Sequence, residues 1–185
     1  MKIHETNLKD CYVIRNEYHA DERGYFFEAF NQKAFNDRTG LNVQFVQDNQ
    51  SKSTKGVLRG LHFQTGNNAQ AKLVRVLEGK VLDVAVDVRP GSPTFGEHMS
   101  VILSEENGIQ FFIPRGFAHG FVVLSKTATF FYKCDNYYDK SSESGIIYND
   151  PEIGIDWELP EEELVLSEKD RILKPLKDIA SDLEF

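Results

Sequence analysis

Hydrophobic and polar residues alternate along much of the chain with the two-residue period of β-strands. In VLDVAVDVR, residues 81–89, one face carries Leu82, Val84, Val86 and Val88, and the other face carries Asp83 and Asp87. Further stretches predict strands: ERGYFFEAF, VQFVQDNQS, VLRGLHFQ, AKLVRVLEG, HMSVILS, IQFFIP, GFVVLS and ATFFYKC. About nine or ten strands with frequent turns indicate an all-β sandwich or barrel.

The stretch VLRGLHFQTGNNAQAKLVRVLEG, residues 57–79, carries the most distinctive polar groups. Its two apolar flanks and the polar turn TGNNAQ predict a hairpin that places His62 and Lys72 on neighbouring strands. Strict alternation would send Arg59 and His62 to opposite faces of their strand. Gly60 lies between them, and glycine in a strand often marks a bulge or kink.

The pattern of hydrophobic and polar residues predicts few helices. Asn31 is a good N-cap for NQKAFNDRTG and Gly40 a good C-terminal stop, so a short helix is predicted between them. LSEKDRILKPLKDI predicts a second short helix near the end of the chain. Residues 1–22 form a mixed edge segment, and the chain beyond Asn136 becomes charged and rich in turns.

Composition narrows the class of protein. The 185 residues suit a single domain, and 41% hydrophobic content is too high for a disordered chain. A net charge of −8 argues against nucleic-acid polymers and anionic membranes as partners. The N-terminus lacks the apolar region of a secretory signal, and Cys11 and Cys134 suit free thiols. We therefore expect a cytoplasmic protein.

The segment GIQFFIPRGFAH, residues 108–119, resembles the second motif of the cupins, which are small jelly-roll barrels. The first cupin motif supplies two histidines and a glutamate to a metal ion. Here one histidine is absent, and Lys72 stands near the place of the acid. Because an ammonium group repels a divalent cation, we expect a jelly-roll barrel with a few short peripheral helices, no metal and no cofactor.

The polar residues that remain suit proton transfer. Histidine is the residue type whose unperturbed pKa lies near neutrality, so His62 can serve as a base. Lys72 can stabilise an oxyanion, and the Tyr132 phenol can donate a proton. A base and an acid on opposite faces of a carbonyl compound can invert its α-carbon through an enolate, so these residues predict epimerisation.

A series of motifs in collinear order resembles the dTDP-4-dehydrorhamnose 3,5-epimerase family. The motifs are DERGYFFEAFN, FVQDNQSKS, GVLRGLHFQ, QAKLVRVLEGKVLDVAVDVR, SPTFG, FFIPRGFAHGFVVLS, YKCDNYY, SSESGI, NDPEIGIDW and LSEKD. The resemblance implies inversion at C3 and C5 of dTDP-4-dehydro-6-deoxy-D-glucose. It implies that His62 is the base, Asp170 orients it, Tyr132 is the acid and Lys72 holds the C4 oxygen. It also implies a homodimer with exchanged N-terminal strands.

The same resemblance implies a set of substrate-binding residues. Arg23 and Arg59 would contact the diphosphate, and Phe26 and Tyr138 the thymine. Because the resemblance places both Arg59 and His62 at the substrate, we predict an irregular backbone at Gly60 that lets both side chains reach one site. The remaining matched positions are Glu28, Gln47, Asp48, Asn49, Lys72, His119, Glu143 and Lys169.

Plainer interpretations of these residues stay open at the level of sequence. Tyr132 suits an aromatic core, Arg23 and Glu28 suit a surface ion pair, and Asp83 and Asp87 suit a solvated or arginine-paired strand face. Three other activities also remain: a single-site epimerase, a non-catalytic sugar-nucleotide binder and, more distantly, a metal-dependent oxygenase.

Overall fold

A computed structural model describes residues 1–185 and contains thirteen strands and two α-helices. The strands are β1 (Lys2–Glu5), β2 (Tyr12–Arg15), β3 (His19–Asp21), β4 (Gly24–Phe26), β5 (Gln47–Thr54), β6 (Leu58–Gln64), β7 (Lys72–Glu78), β8 (Lys80–Asp87), β9 (His98–Ser104), β10 (Ile109–Ile113), β11 (Phe117–Val123), β12 (Thr127–Cys134) and β13 (Glu143–Gly145). The helices are α1 (Gln32–Thr39) and α2 (Glu168–Arg171). Five short 3₁₀ turns complete the elements, and none of the helices could span a membrane.

Two facing antiparallel sheets form the body of the molecule. One has the order β1-β2-β10-β7-β12-β5, and the other has the order β13-β6-β11-β8-β9. Strands β3 and β4 pair only with each other, in a separate hairpin. This arrangement confirms the all-β, jelly-roll prediction.

The prediction that the two strands of residues 57–79 pair as a hairpin is wrong. Strand β6 pairs with β11 and β13, whereas β7 pairs with β10 and β12, so the two strands lie in different sheets. The turn between them crosses from one sheet to the other. His62 and Lys72 consequently face each other across the space between the sheets, which serves the predicted chemistry better than a shared sheet would.

The hydrophobic core has two main layers. Between the sheets, Val74, Phe111, Phe121 and Phe130 belong to one cluster of buried side chains. A second cluster joins the other face of β8 to the C-terminal segment, including Trp157. Strand β8 is therefore buried on both sides, so Asp83 and Asp87 are fully buried and the solvated strand face is wrong. The arginine-paired interpretation holds for Asp87, which bonds Arg89 at 2.7 Å.

Helix α1 begins and ends as its sequence predicts. The Asn31 side chain accepts a hydrogen bond from the Ala34 backbone N–H, and Gly40 adopts the left-handed conformation at the C-terminus. Phe35 anchors the helix by packing against Phe112 of β10, with ring centroids 5.0 Å apart. The aromatic stretch 22–30, in contrast, is a strand only over Gly24–Phe26.

Candidate active site

A cavity of about 590 Å³ opens between the two sheets, and a second one of about 310 Å³ adjoins it. Asn49, His62, Lys72 and Tyr132 line both cavities, so the two form one continuous polar cleft. Asp170 lines the larger cavity. All four candidate catalytic side chains therefore meet at one place.

The base and the acid come from opposite sheets. His62 projects from β6 in the five-stranded sheet, whereas Tyr132 and Lys72 project from β12 and β7 in the six-stranded sheet. A ring bound between the sheets would have the imidazole on one side and the phenol on the other. That is the arrangement that inversion of a carbon centre requires.

His62 is held by a carboxylate. Its Nε2 lies 2.6 Å from Asp170 Oδ1. An ionised carboxylate only accepts hydrogen bonds, so Nε2 donates to it, and Nδ1 keeps its lone pair for use as a base. Asp170 is in turn fixed by Ser167, whose hydroxyl accepts from the Asp170 backbone N–H at 3.1 Å, as the N-cap of α2.

Opposing influences act on Asp170. Burial alone would raise the pKa of this carboxyl group, but the hydrogen bond and positive charge of His62 and a hydrogen bond to Ser167 outweigh burial and lower its pKa. Asp170 is consequently ionised at neutral pH. A charged carboxylate at this position can hold the orientation of His62 and can stabilise an imidazolium.

Lys72 and Tyr132 are tuned by burial. Burial lowers the pKa of Lys72, against the opposing effects of Cys134, Asp83 and Glu143. The Lys72 ammonium donates a single long hydrogen bond, 3.4 Å, to the His62 carbonyl oxygen, so most of its donor capacity faces the cavity. Burial also raises the pKa of Tyr132, which keeps the phenol protonated and able to act as an acid.

The predicted irregularity at Gly60 is confirmed. Strand β11 pairs His119 with His62 and Phe121 with Arg59, so β6 carries one extra residue between these pairs. Gly60 has φ +140°, and the Gly60–Leu61 peptide bond is cis. A Cβ atom at Gly60 would lie 2.5 Å from the Gly120 Cα, so only glycine fits. The bulge lets Arg59 and His62 line the same cavity.

Polar side chains connected by hydrogen bonds edge the cleft, and four of them line the smaller cavity while Lys169 lines the larger. The Tyr138 hydroxyl donates to Glu143 at 2.9 Å, and Glu143 binds Lys169 at 2.6 Å. The Tyr138 backbone N–H donates to Gln47, whose amide donates to Asn49. These five predicted binding residues are therefore brought together.

His119 forms a second histidine–carboxylate pair in the larger cavity. Its Nε2 lies 2.9 Å from Asp83 Oδ2, and both side chains are buried. Burial lowers the pKa of His119, although the charge of Asp83 acts in the opposite direction. His119 is thus a neutral hydrogen-bonding group at pH 7.

Comparison with known proteins decides the family. The family described as dTDP-4-dehydrorhamnose 3,5-epimerase matches residues 5–178. The chain belongs to this family. A Salmonella typhimurium protein named dTDP-4-dehydrorhamnose 3,5-epimerase is 54% identical, with 92% of each chain covered.

Solved structures of family members have the same fold. The dTDP-4-dehydrorhamnose 3,5-epimerase of Elizabethkingia anophelis is 58% identical, with a TM-score of 0.94 and coverage of 96% and 97% of the two chains. The dTDP-6-deoxy-D-glucose-3,5-epimerase of Legionella pneumophila, solved in complex with dTDP-4-keto-L-rhamnose, is 49% identical, with a TM-score of 0.94 and coverage of 100% and 98%.

Four predicted site residues lie away from the cavity of their own chain. Arg23 and Phe26 are exposed on the β3–β4 hairpin, where Arg23 pairs with Asp21. Glu28 follows this hairpin and bonds Asn31, so the predicted Arg23–Glu28 surface pair does not form. Asp48 points away from Gln47 and Asn49 because neighbouring residues alternate along β5, and it pairs with Lys133 at 2.9 Å.

Sequence reasoning missed three residues near the site. Ser167 had a signal, since a serine three residues before an acid is a helix-capping pattern. For Asp83, no sequence signal indicated that His119 is its partner, because this contact depends on how β8 and β11 pair. Cys134 is a free, buried thiol whose sulfur lies 3.7 Å from the Asn49 amide nitrogen, and it lines the smaller cavity.

Proposed function

We propose that this chain inverts C3 and C5 of dTDP-4-dehydro-6-deoxy-D-glucose to give dTDP-4-dehydro-L-rhamnose. The observation that carries the proposal is the placement of a carboxylate-held imidazole and a protonated phenol on opposite walls of one cavity. The family's name and the ligand of the Legionella relative support the substrate. The C4 ketone acidifies both neighbouring carbons, so one set of groups serves both inversions.

Each inversion moves two protons. His62 Nδ1 takes the proton from the carbon next to C4, and the electron pair of that C–H bond forms the enolate. The Lys72 ammonium stabilises the negative charge on the C4 oxygen. The Tyr132 hydroxyl then gives its proton to the opposite face of the same carbon. Exchange with solvent removes the proton from His62 and restores the phenol, so the enzyme is ready for the second carbon.

The nucleotide end of the substrate would lie along the residues that edge the cleft. Arg59 supplies a guanidinium, which can make paired charge-assisted hydrogen bonds to a diphosphate. In a homodimer, the exposed β3–β4 hairpin of one subunit would bring Arg23 and Phe26 to the cleft of the other. The exposed side chains at the hairpin tip support this assembly, and the two buried free thiols suit the reducing cytoplasm.

Solvent exchange tests the reaction. The 4-keto sugar nucleotide is incubated with the protein in deuterated water, and NMR follows C3 and C5. Deuterium is expected at both carbons, and His62→Ala is expected to abolish exchange at both. Deuterium at one carbon only would identify a single-site epimerase. Binding of dTDP without any exchange would identify a non-catalytic binder.

Subunit mixing tests the shared site. Arg23→Ala and His62→Ala homodimers should each be nearly inactive, because each lacks a group in every site. A mixed dimer would contain one complete site, made of His62 from one subunit and Arg23 from the other. Random exchange should therefore restore about a quarter of the wild-type rate. No recovery after verified exchange would show that Arg23 does not act across subunits.

A further inference from the structure

The motif NDPEIGIDW, residues 149–157, has no part in the chemistry described above, yet its Asp150 is buried and fully engaged. Asp150 is 3% exposed. Its Oδ2 accepts a hydrogen bond from the Leu176 backbone N–H at 2.7 Å, and its Oδ1 accepts from the Glu152 N–H at 3.0 Å. Of these two contacts, the one to Leu176 joins Asp150 to the segment that carries Asp170.

That segment, residues 165–176, is called the strap here. At its start, Val165 exchanges backbone hydrogen bonds with Gly56 and Leu58. Near its end, the Lys174 carbonyl accepts from the Ile147 N–H at 3.0 Å. Residues 166–173 make no backbone hydrogen bond to the rest of the chain. Backbone hydrogen bonds therefore hold the strap only at its two ends, and between them its contacts are made by side chains, with Lys169 bound to Glu143 and Asp170 to His62.

Asp150 supplies the side-chain half of the C-terminal attachment. It is itself rigidly placed, because its carbonyl accepts from the Gly154 N–H at 2.9 Å. Leu176 is buried in the same hydrophobic cluster as Ile153 and Trp157 of the motif. Without the Asp150 hydrogen bond, the end of the strap would be held by the backbone hydrogen bond of Lys174 and by apolar packing. Apolar packing alone does not fix the orientation of a backbone segment.

We propose that Asp150 is a positioning residue that acts through the strap: by fixing Leu176, it holds Asp170 against His62. The expected effect of Asp150 on kcat rests on the proposed function. Its structural part, the His62–Asp170 hydrogen bond of 2.6 Å, can be measured independently of catalysis.

Asp150→Asn tests the proposal with little change of shape. Asparagine retains one acceptor oxygen and places an amide N–H against a backbone N–H, so the paired contacts to Leu176 and Glu152 cannot both survive. We expect kcat to fall by about 10- to 100-fold, since a displacement of about 1 Å can cost that much, while KM changes by less than about two-fold.

The matched control is Asp156→Asn in the same motif. Asp156 is exposed and accepts only from the Glu158 backbone N–H at 2.9 Å, outside the strap. Proton NMR of the ligand-free protein gives the second measurement. The His62 Nε2–H resonance, assigned by its loss in His62→Asn, should shift or broaden in Asp150→Asn and stay unchanged in Asp156→Asn.

A stability control separates positioning from general loosening. Val101→Ala opens a small gap in the core at β9, which is three strands away from β6 in the five-stranded sheet. When its decrease in Tm equals that of Asp150→Asn, the Val101→Ala variant should keep both the His62 Nε2–H resonance and the wild-type kcat. The proposal is overturned if Asp150→Asn keeps the resonance, whatever its rate, or if Val101→Ala loses the resonance equally. If the resonance is lost in Asp150→Asn alone but the chain catalyses no exchange, the proposed function fails and the positioning role stands.

Discussion

Two histidine–carboxylate pairs lie side by side in this cleft, and they differ in where the carboxylate comes from. His62 and His119 are direct partners on β6 and β11, and each uses Nε2 to bind an aspartate. Asp170 reaches His62 from the C-terminal strap. Asp83 reaches His119 from the neighbouring strand β8 of the same sheet.

The difference in burial gives the two pairs different chemistry. The His62 side chain is 28% exposed and faces the cavity, whereas the His119 side chain is 8% exposed and its aspartate is fully buried. Because burial penalises the imidazolium form, His119 is held neutral and suits substrate binding. His62 has room for a substrate carbon and a partner that stabilises its charged form. Similar pairs can therefore serve catalysis or binding, depending on what surrounds them.

The strongest test replaces each histidine by asparagine. His62→Asn removes the proposed base, so kcat should fall by about 10²- to 10⁴-fold, the usual contribution of general acid–base catalysis. His119→Asn should raise KM and lower kcat by less than about ten-fold, since it removes a binding contact. Steady-state rates at saturating substrate, with deuterium incorporation at each carbon, give the comparison. Equal losses of kcat in the two variants would mean that both imidazoles take part in proton transfer.

The two aspartates provide the next largest contrast. Asp170→Asn should lower kcat by about 100-fold, because a neutral amide neither enforces the required tautomer nor stabilises the imidazolium. Asp83→Asn should change kcat by less than about three-fold, since an amide oxygen can still accept from the neutral His119. Both variants are compared by kcat after circular dichroism confirms the fold. A larger loss of kcat in Asp83→Asn would reverse the assignment of the two pairs.

Much of this site was predictable because its residues lie in motifs that stand in order along the chain. His62, Lys72 and Tyr132 were identified from side-chain chemistry, and Asp170 from the family resemblance. The conflict between alternation along the strand and the family resemblance also predicted the irregular backbone at Gly60. What sequence could not supply was pairing between distant strands. The local hairpin signal at residues 65–70 could not reveal that the chain there crosses between sheets, and nothing marked Asp83 as the partner of His119.

Lys72 lines the same cavity as both histidines, and its titration gives a third, smaller effect. Burial lowers the pKa of Lys72 below its ordinary 10.5, so the ammonium is lost as pH rises through this lowered value. The rate should decline over that alkaline range, because the neutral amine stabilises an enolate less well. Lys72→Arg should move this decline to higher pH, since arginine stays charged above about pH 12, at a cost of roughly ten-fold in kcat at pH 7 from its different shape. Lys52→Arg, at an exposed position paired with Glu78, is the control and should leave the profile unchanged.

The smallest effect concerns stability and reports the charge of His119 directly. Because burial lowers the pKa of His119 below 6.5, the unfolded chain binds a proton at this residue that the folded chain does not. The free energy of unfolding should therefore decrease as pH falls below about 6.5, by at most about 1.4 kcal/mol per pH unit from this residue.

The Asp83→Asn/His119→Asn double variant removes both groups, while the other histidines contribute equally to both proteins. Urea unfolding at several pH values should show a shallower dependence in the double variant. A steeper decrease in the double variant would mean that His119 is protonated in the folded protein, as an ion pair with Asp83, and that the two pairs are electrostatically alike.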